Sequence, residues 1–438
     1  MVVERVTTMD KKELRALSKN ELISIILHQQ EQISQLAERI ERLEQYIRAF
    51  DNPHTPSSKM RSKKNTERDE SKPRFPGKPE GSNGGGIDMP KPDKEVKIAK
   101  DNCPECGKKL GKEKDTYSFR QMDIPQFSFI TTKYAVALYR CSCGAEIDAG
   151  EDMQKGFYGP NITALIGYLK KEGLSHESIS TTLREVYGLP ISHVGVYGKF
   201  TSLTESMRPE RERIRRKINM SSYANMDETG LRKDGRNGYV WNASTPDSCL
   251  FEYDKSRGAE VAQRILNKFN GALVTDDYKA YLWHPLRQLC WSHLLREAKE
   301  FAEEYDGAKA QYERLKLLYD KAKRAQEING ASQYDALAWE LEDIASCYHP
   351  LDGCKTMHSK LHKRANLWLL GVKMPNVPLT NNHAERCLRK IVLHRNRMGC
   401  IRNENGEAFV NIFLSCVGTW KLQGKNTFEE LVKYSLVT

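Results

Sequence analysis

From about Lys12 to Phe50 the chain holds neither Pro nor Gly and repeats apolar residues every seven positions. Ile26, Ile33, Ile40 and Ile47 fall at one heptad position; Leu22, Leu36, Leu43 and Phe50 fall at the other, with Gln29 interrupting it. That period predicts a coiled-coil helix over 12–50. β-Branched residues at the first position with Leu at the second favour two parallel strands, hence a homodimer or higher oligomer. A single amphipathic helix packed on its own chain would satisfy the same pattern. Residues 51–100, rich in Pro, Gly, Ser and Lys, break the period. They cannot bury enough apolar surface to offset their ordering entropy, which predicts a flexible basic linker.

Patterning resumes at 101–150. Cys103-Pro-Glu-Cys106 and Cys141-Ser-Cys143 flank strand-like patches at 127–130 and 134–139. Two close cysteine pairs around a short β segment describe a zinc ribbon, whose four thiolates close a tetrahedron and leave no open position for catalysis. The second pair has one spacer rather than two, and unligated thiols are the alternative. Over 156–220 the period is helical: Ile162, Leu165, Ile166 and Leu169 share one face, Ser175 can cap a second helix, Gly188-Leu-Pro190 turns the chain, and Ser192 caps a third. Helix, tight turn, helix is the geometry of a helix-turn-helix, with His193, Tyr197 and Lys199 as candidate DNA contacts; a helical hairpin that binds nothing is the plainer reading.

The catalytic candidates lie beyond. Strands are predicted near 223–227, 238–244 and 248–254 as a meander, then a helix over 259–269, then the apolar run Leu273-Val274 ending on Asp276. Asp227 closes the first strand, and Glu385 lies in a helix for which Thr380 or Asn381 can serve as cap, with Ala384, Leu388, Ile391 and Val392 at helical spacing. Three carboxylates on three separate elements suit hard divalent cations, magnesium or manganese, in phosphoryl transfer. This order of elements is the ribonuclease-H-like arrangement: an α/β domain over 221–425. The span from Asp276 to Glu385 exceeds one crossover, which predicts a helical insertion at about 300–370.

Charge narrows the partners. The 438 residues carry 69 Lys plus Arg against 58 Asp plus Glu, a net charge of +11, which suits a polyanion such as DNA. No apolar run reaches the ~18–20 residues that span a membrane, and the first residues lack the apolar core of a signal peptide, so a cytoplasmic protein is expected. Eleven cysteines without an export signal fit reduced thiols and a metal site rather than a disulfide framework. After Glu385, Arg386, Arg389, Lys390, Arg395, Arg397 and Arg402 occur with no acidic residue before Glu404. Such a run holds a phosphate backbone or forms an ordinary solvated helix face. Trp241, Trp283 and Trp291 are either base-stacking platforms or core.

The segments MDETG at 226–230, GYVWNAS at 238–244, GALVTDDYKAY at 271–281, CWSHLLR at 290–296 and NNHAERCLRK at 381–390 together resemble the catalytic domain of insertion sequence 66 family transposases, over roughly residues 215–425. The resemblance implies a DDE transposase with a ribonuclease-H-like fold. Asp227, Asp276 and Glu385 would be its metal-binding triad, and DNA, as terminal inverted repeats and target, its partner. Its Cys290-Trp-Ser-His293 step implies that His293 lines the active site or contacts DNA; a packed Cys with a hydrogen-bonded His is the bland reading. Asp277 stands where the family would have glycine, which leaves two adjacent aspartates as metal ligands, Asp276 favoured. The implied reaction is metal-dependent cleavage at element ends and strand transfer to target DNA, with accessory proteins a further class of partner. The rivals are a metal-dependent nuclease without strand transfer and a non-catalytic zinc-ribbon regulator that binds DNA.

Overall fold

The computed structural model describes residues 156–436 apart from 306, 350, 352 and 353, together with shorter stretches within 18–40 and 91–151. Both ends of the expected coiled coil, the linker as far as residue 90, and Cys103 lie outside the described residues. Every described residue from 19 to 40 is helical, and Ile26, Ile33, Leu36 and Ile40 stand exposed on it. Strands β1 (Leu138–Arg140) and β2 (Glu146–Asp148) pair as an antiparallel hairpin whose turn carries Cys141 and Cys143. Gly144 takes the left-handed φ of 88° that this turn requires.

Four helices follow: α1 (Pro160–Lys171), α2 (His176–Tyr187), α3 (His193–Ser206) and α4 (Arg208–Asn219). The serine caps are present, with Ser175 accepting from the Ser178 amide at 3.0 Å and Ser192 from the Gly195 amide at 3.1 Å. Gly188 ends α2 in the left-handed conformation, φ 67°. Ile166, Ile179, Leu183, Val196, Phe200 and Leu203 bury the inner faces of α1 to α3 in the principal core.

That core continues under a sheet built from β3 (Tyr223–Gly230), β5 (Tyr239–Thr245), β6 (Ser248–Asp254), β7 (Ala272–Thr275) and β8 (Arg287–Leu289); β4 (Arg232–Lys233) is separate, and α5 (Ala259–Ile265) precedes β7. The order is β6-β5-β3-β7-β8, antiparallel across β6, β5 and β3 and parallel across β3, β7 and β8. The expected meander is therefore present. β7 is buried along its whole length, as its unbroken apolar run requires of a parallel strand covered on both faces.

Between β8 and the Glu385 helix lie α6 (Trp291–Glu304), α7 (Ala308–Glu327), α8 (Tyr334–Tyr348), α9 (Lys355–Leu361), α10 (Ala365–Trp368) and α11 (Leu370–Lys373). These six helices form a second core around Leu294, Leu315, Leu318, Leu341, Ile344 and Trp368. α12 (Asn382–Met398) then returns to the sheet, and β9 (Cys400–Ile401) pairs parallel with β4. α13 (Glu404–Ala408) leads into a π-helical turn (Phe409–Leu414), α14 (Ser415–Leu422) and α15 (Thr427–Ser435).

The edge strand β6 is sealed by side chains rather than by another strand. Asn411 Oδ1, Ser415 Oγ and Thr419 Oγ1 accept the amides of Tyr253, Phe251 and Cys249 at 2.7, 2.8 and 2.9 Å. Four helical residues rise about 6 Å and two strand residues about 6.6 Å, so acceptors four apart on a helix match amides two apart on a strand. The edge thereby loses its capacity to template pairing with another chain.

Candidate active site

The sheet's geometry sets Asp227 and Asp276 side by side. Parallel pairing of β3 with β7 matches Asn225 to Val274, and two residues further along the same register is Asp227 level with Asp276. β7 has ended by then at Thr275, so the carboxylates emerge where the pairing stops. Asp276 is 7% exposed, and its Oδ1 accepts the Tyr278 amide at 3.1 Å. Burial pushes the Asp227 carboxyl well above the usual carboxylate range, and the negative charges of Glu228, Asp276 and Glu385 push it further. Asp227 Oδ1 accepts the Glu228 amide at 2.8 Å, which pulls the other way. Three acids on β3, after β7 and in the first turn of α12 thus share one field.

Glu385 is brought in by two asparagines. Asn381 Nδ2 donates to Met226 O at 2.8 Å, Asn381 Oδ1 accepts from Asn225 Nδ2 at 3.0 Å, and both asparagines are buried. The backbone before the helix is held as well: the Trp291 amide donates to Leu379 O at 3.0 Å and the Asn381 amide to Cys290 Sγ at 3.1 Å. Asn381 occupies the N-cap position, yet its side chain makes no capping bond to its own helix. The capping role expected of Thr380 or Asn381 is therefore replaced by a tie to β3, because the Oδ1 that a cap would offer to the helix amides accepts from Asn225 Nδ2 instead.

The adjacent aspartates face different surroundings. Arg364, from the helical insertion, binds both oxygens of Asp277, one of them at 2.9 Å, whereas Asp276 lies among the acids. Glu228, which the sequence reading passed over, is a fourth carboxylate in the same neighbourhood. Its side chain is 2% exposed, Arg257 grips it through Nε and Nη2 at 2.8 and 2.6 Å, and the Tyr281 hydroxyl donates to it. Burial raises its carboxyl, and the charge of Asp276 adds to the rise. The signal for it was the acid pair Asp227-Glu228 itself.

His293 and Cys290, one helical turn apart at the start of α6, also reach the site. His293 Nε2 is 3.6 Å from Glu385 Oε1, and that oxygen is buried without a hydrogen bond. One ligand atom each of Cys290, His293 and Glu385 fall within 4.8 Å of one another.

The basic candidates divide. Arg386 and Arg389 are exposed on α12 and Lys390 is half-buried. Arg395 donates to Gly230 O at 2.7 Å and Thr229 Oγ1 at 3.3 Å, and Arg397 donates to Glu172 O, so both tie α12 to neighbouring elements. His193 is exposed at the start of α3 and Lys199 is half-buried; Tyr197 packs on His176 and accepts a hydrogen bond from Asn405 Nδ2. Trp241 and Trp291 are buried completely, and Trp291 Nε1 donates to Trp368 O at 2.6 Å, so of the two roles weighed for them the structure gives the core. Among the zinc candidates, Cys106, Cys141 and Cys143 are exposed; the Cys143 backbone, then its side chain, draw the Cys141 thiol below its usual range by hydrogen bonding. Among the described residues no helix is long and apolar enough to cross a membrane.

Residues 155–408, more than half of the chain, match the family model described as Transposase IS66 family. Comparison with curated proteins returns no match.

Proposed function

The chain belongs to the IS66 family of transposases, and from that premise we propose that it cuts DNA at the ends of its element and joins them to target DNA, using Asp227, Asp276 and Glu385 to hold divalent metal. The observation that carries this reading is the crowding of like-charged, poorly solvated carboxylates: Asp227 is pushed up by burial and by the charges of its neighbours. Such a cluster is costly by itself and fits a hard cation with oxygen preference. Magnesium or manganese, when bound, supplies Lewis acidity at the attacking and leaving oxygens of an in-line phosphoryl transfer. The strand order β6-β5-β3-β7-β8 supports a ribonuclease-H-like framework for it.

The remaining roles fall to the chain's own groups. Asn381 and Asn225 fix the approach of α12, so that Glu385 meets the aspartates without a search among conformers. Arg386 and Arg389, exposed on the helix that carries Glu385, hold the phosphate backbone next to the acids. Helices α2 and α3 form a DNA-binding unit with His193 leading. Cys103, Cys106, Cys141 and Cys143 hold a structural zinc, and the helix bearing Ile26, Ile33, Leu36 and Ile40 pairs two copies.

The test is cleavage of end-labelled DNA from the element's terminus, with magnesium or chelator, by the full chain and by Glu385→Gln. Metal-dependent cuts at the terminus, lost in the variant, followed by joining to target DNA, are expected. Cuts without joining would leave a nuclease, and binding without cuts would leave a regulator.

A further inference from the structure

Cys290 and His293 are used by none of the steps above, yet both point at Glu385. Cys290 is the N-cap residue of α6, 1% exposed, and its Sγ already accepts the Asn381 amide at 3.1 Å. Burial and the charge of Glu385 hold the Cys290 thiol above its usual range, while the Asn381, His293 and Ser292 amides around it pull the other way. One turn on, the His293 ring presents Nε2 at 3.6 Å from Glu385 Oε1, and all three ligand atoms lie within 4.8 Å. Bonds of ~2.0–2.3 Å to a tetrahedral ion separate its ligands by about 3.3–3.8 Å. The imidazole–carboxylate edge already has that length.

The donor set differs in kind from the triad. Thiolate and imidazole are soft and borderline ligands that select zinc-class ions over magnesium, whereas the cluster around Asp227 and Asp276 offers oxygen alone. Cys290 and His293 alone are two ligands, too few for a site; the third comes from α12, far along the chain. A three-ligand set also leaves a fourth position open, unlike a closed structural site.

We propose that Cys290, His293 and Glu385 form a site for a zinc-class divalent ion, and that its occupancy withdraws Glu385 from Asp227 and Asp276. Binding releases the Cys290 thiol proton to solvent and leaves the charge of the ion balanced by thiolate and carboxylate. The consequence for cleavage rests on the reading of Glu385 as the third triad carboxylate; the binding itself does not.

Cobalt(II) is the probe. The full chain carrying serine at positions 103, 106, 141 and 143, so that the ribbon thiols do not contribute, is titrated with cobalt and followed by its thiolate charge-transfer absorption. A saturable one-to-one signal displaced by zinc is expected. Cys290→Ser abolishes it, and Glu385→Gln and His293→Asn weaken binding at least tenfold. The last two positions are partly exposed, so these variants serve if Cys290→Ser misfolds. An unchanged signal in folded Cys290→Ser, or none in the parent, overturns the site. In the cleavage assay, zinc stoichiometric with the chain is expected to inhibit magnesium-dependent cutting. Binding with undiminished cutting overturns the withdrawal of Glu385. Binding by a protein that never cuts DNA leaves the site standing and refutes the proposed activity instead.

Discussion

The side chain of Asn381 donates to the carbonyl of Met226 at 2.8 Å, which fastens the start of the helix bearing Glu385 to the strand residue next to Asp227. The same amide accepts from Asn225, so one buried group settles two partners. Distance along the chain is no guide here: residues 155 positions apart are joined by one bond because α12 returns to β3 after the whole insertion.

Asn381→Ala therefore takes the side-chain donor from the Met226 carbonyl and leaves the Asn225 amide only its 3.5 Å contact with Thr380 O. Burying unsatisfied groups costs about 1–3 kcal/mol each. We expect a lower urea midpoint with unchanged slope, DNA affinity close to that of the parent, and single-turnover cleavage reduced at least tenfold. Cleavage at the parental rate would show that α12 is seated by other contacts.

The two aspartates after β7 should separate cleanly. Asp276→Asn removes a charge from the acid cluster and is expected to abolish metal-dependent cutting. Asp277→Asn breaks the ion pair with Arg364, whose partners are 23% and 21% exposed; at that exposure about 1 kcal/mol of stability is at stake. It should keep most of the cutting. Equal loss in both would mean that the Arg364 contact, not ligation, positions this corner.

Arginines on α12 differ in what they hold. Removing Arg386 or Arg389, both exposed, should weaken DNA binding and lower the slope of log affinity against log salt by about one phosphate contact each. Arg395→Ala takes a donor from Gly230 O instead. It should lower thermal stability and leave the salt slope nearly unchanged. A flat salt response in the Arg386→Ala and Arg389→Ala variants would move the DNA to another face.

Much of this was legible before the structure. The meander and the helix caps at Ser175 and Ser192 follow from local periodicity and residue type, which act over a few residues, whereas Asp227, Asp276 and Glu385 stand out as a set through the family resemblance. What local patterns do not carry is the partner of a polar group. Asn381 looks like a cap and is a long-range tie; Arg395 looks like a DNA contact and is bonded to Gly230; Arg364 gives no hint that it meets Asp277. The sealing of β6 by Asn411, Ser415 and Thr419 leaves a faint trace, three polar residues four apart in an apolar segment. Glu228 was hidden by its neighbour, since adjacent strand residues are expected to face opposite ways.

A final prediction follows from His394, on the same helix as Glu385. It is 7% exposed, stands edge-on to Phe409 with ring centroids 5.3 Å apart, and its Nδ1 is buried without a hydrogen bond. Burial depresses its pKa to about 4, and the charges of Lys170 on α1 and of Lys390 and Arg397 on α12 oppose a further proton, against a small opposite pull from Glu172. An unfolded histidine titrates near 6.5. Between these values the unfolded chain binds the proton and the folded one does not, so the contribution to stability is whole above about pH 6.5 and is lost as pH falls towards 4. The shift corresponds to something on the order of 3 kcal/mol. His176, also lowered to about 4 first by burial, adds to the same window from α2. Denaturant unfolding at pH 7, 6 and 5 should show stability falling with acid, and His394→Gln should remove part of that slope while keeping the His176 share. Parallel pH profiles for the parent and His394→Gln would mean that the imidazole takes up its proton equally in the folded and unfolded chain, which would overturn the burial cost.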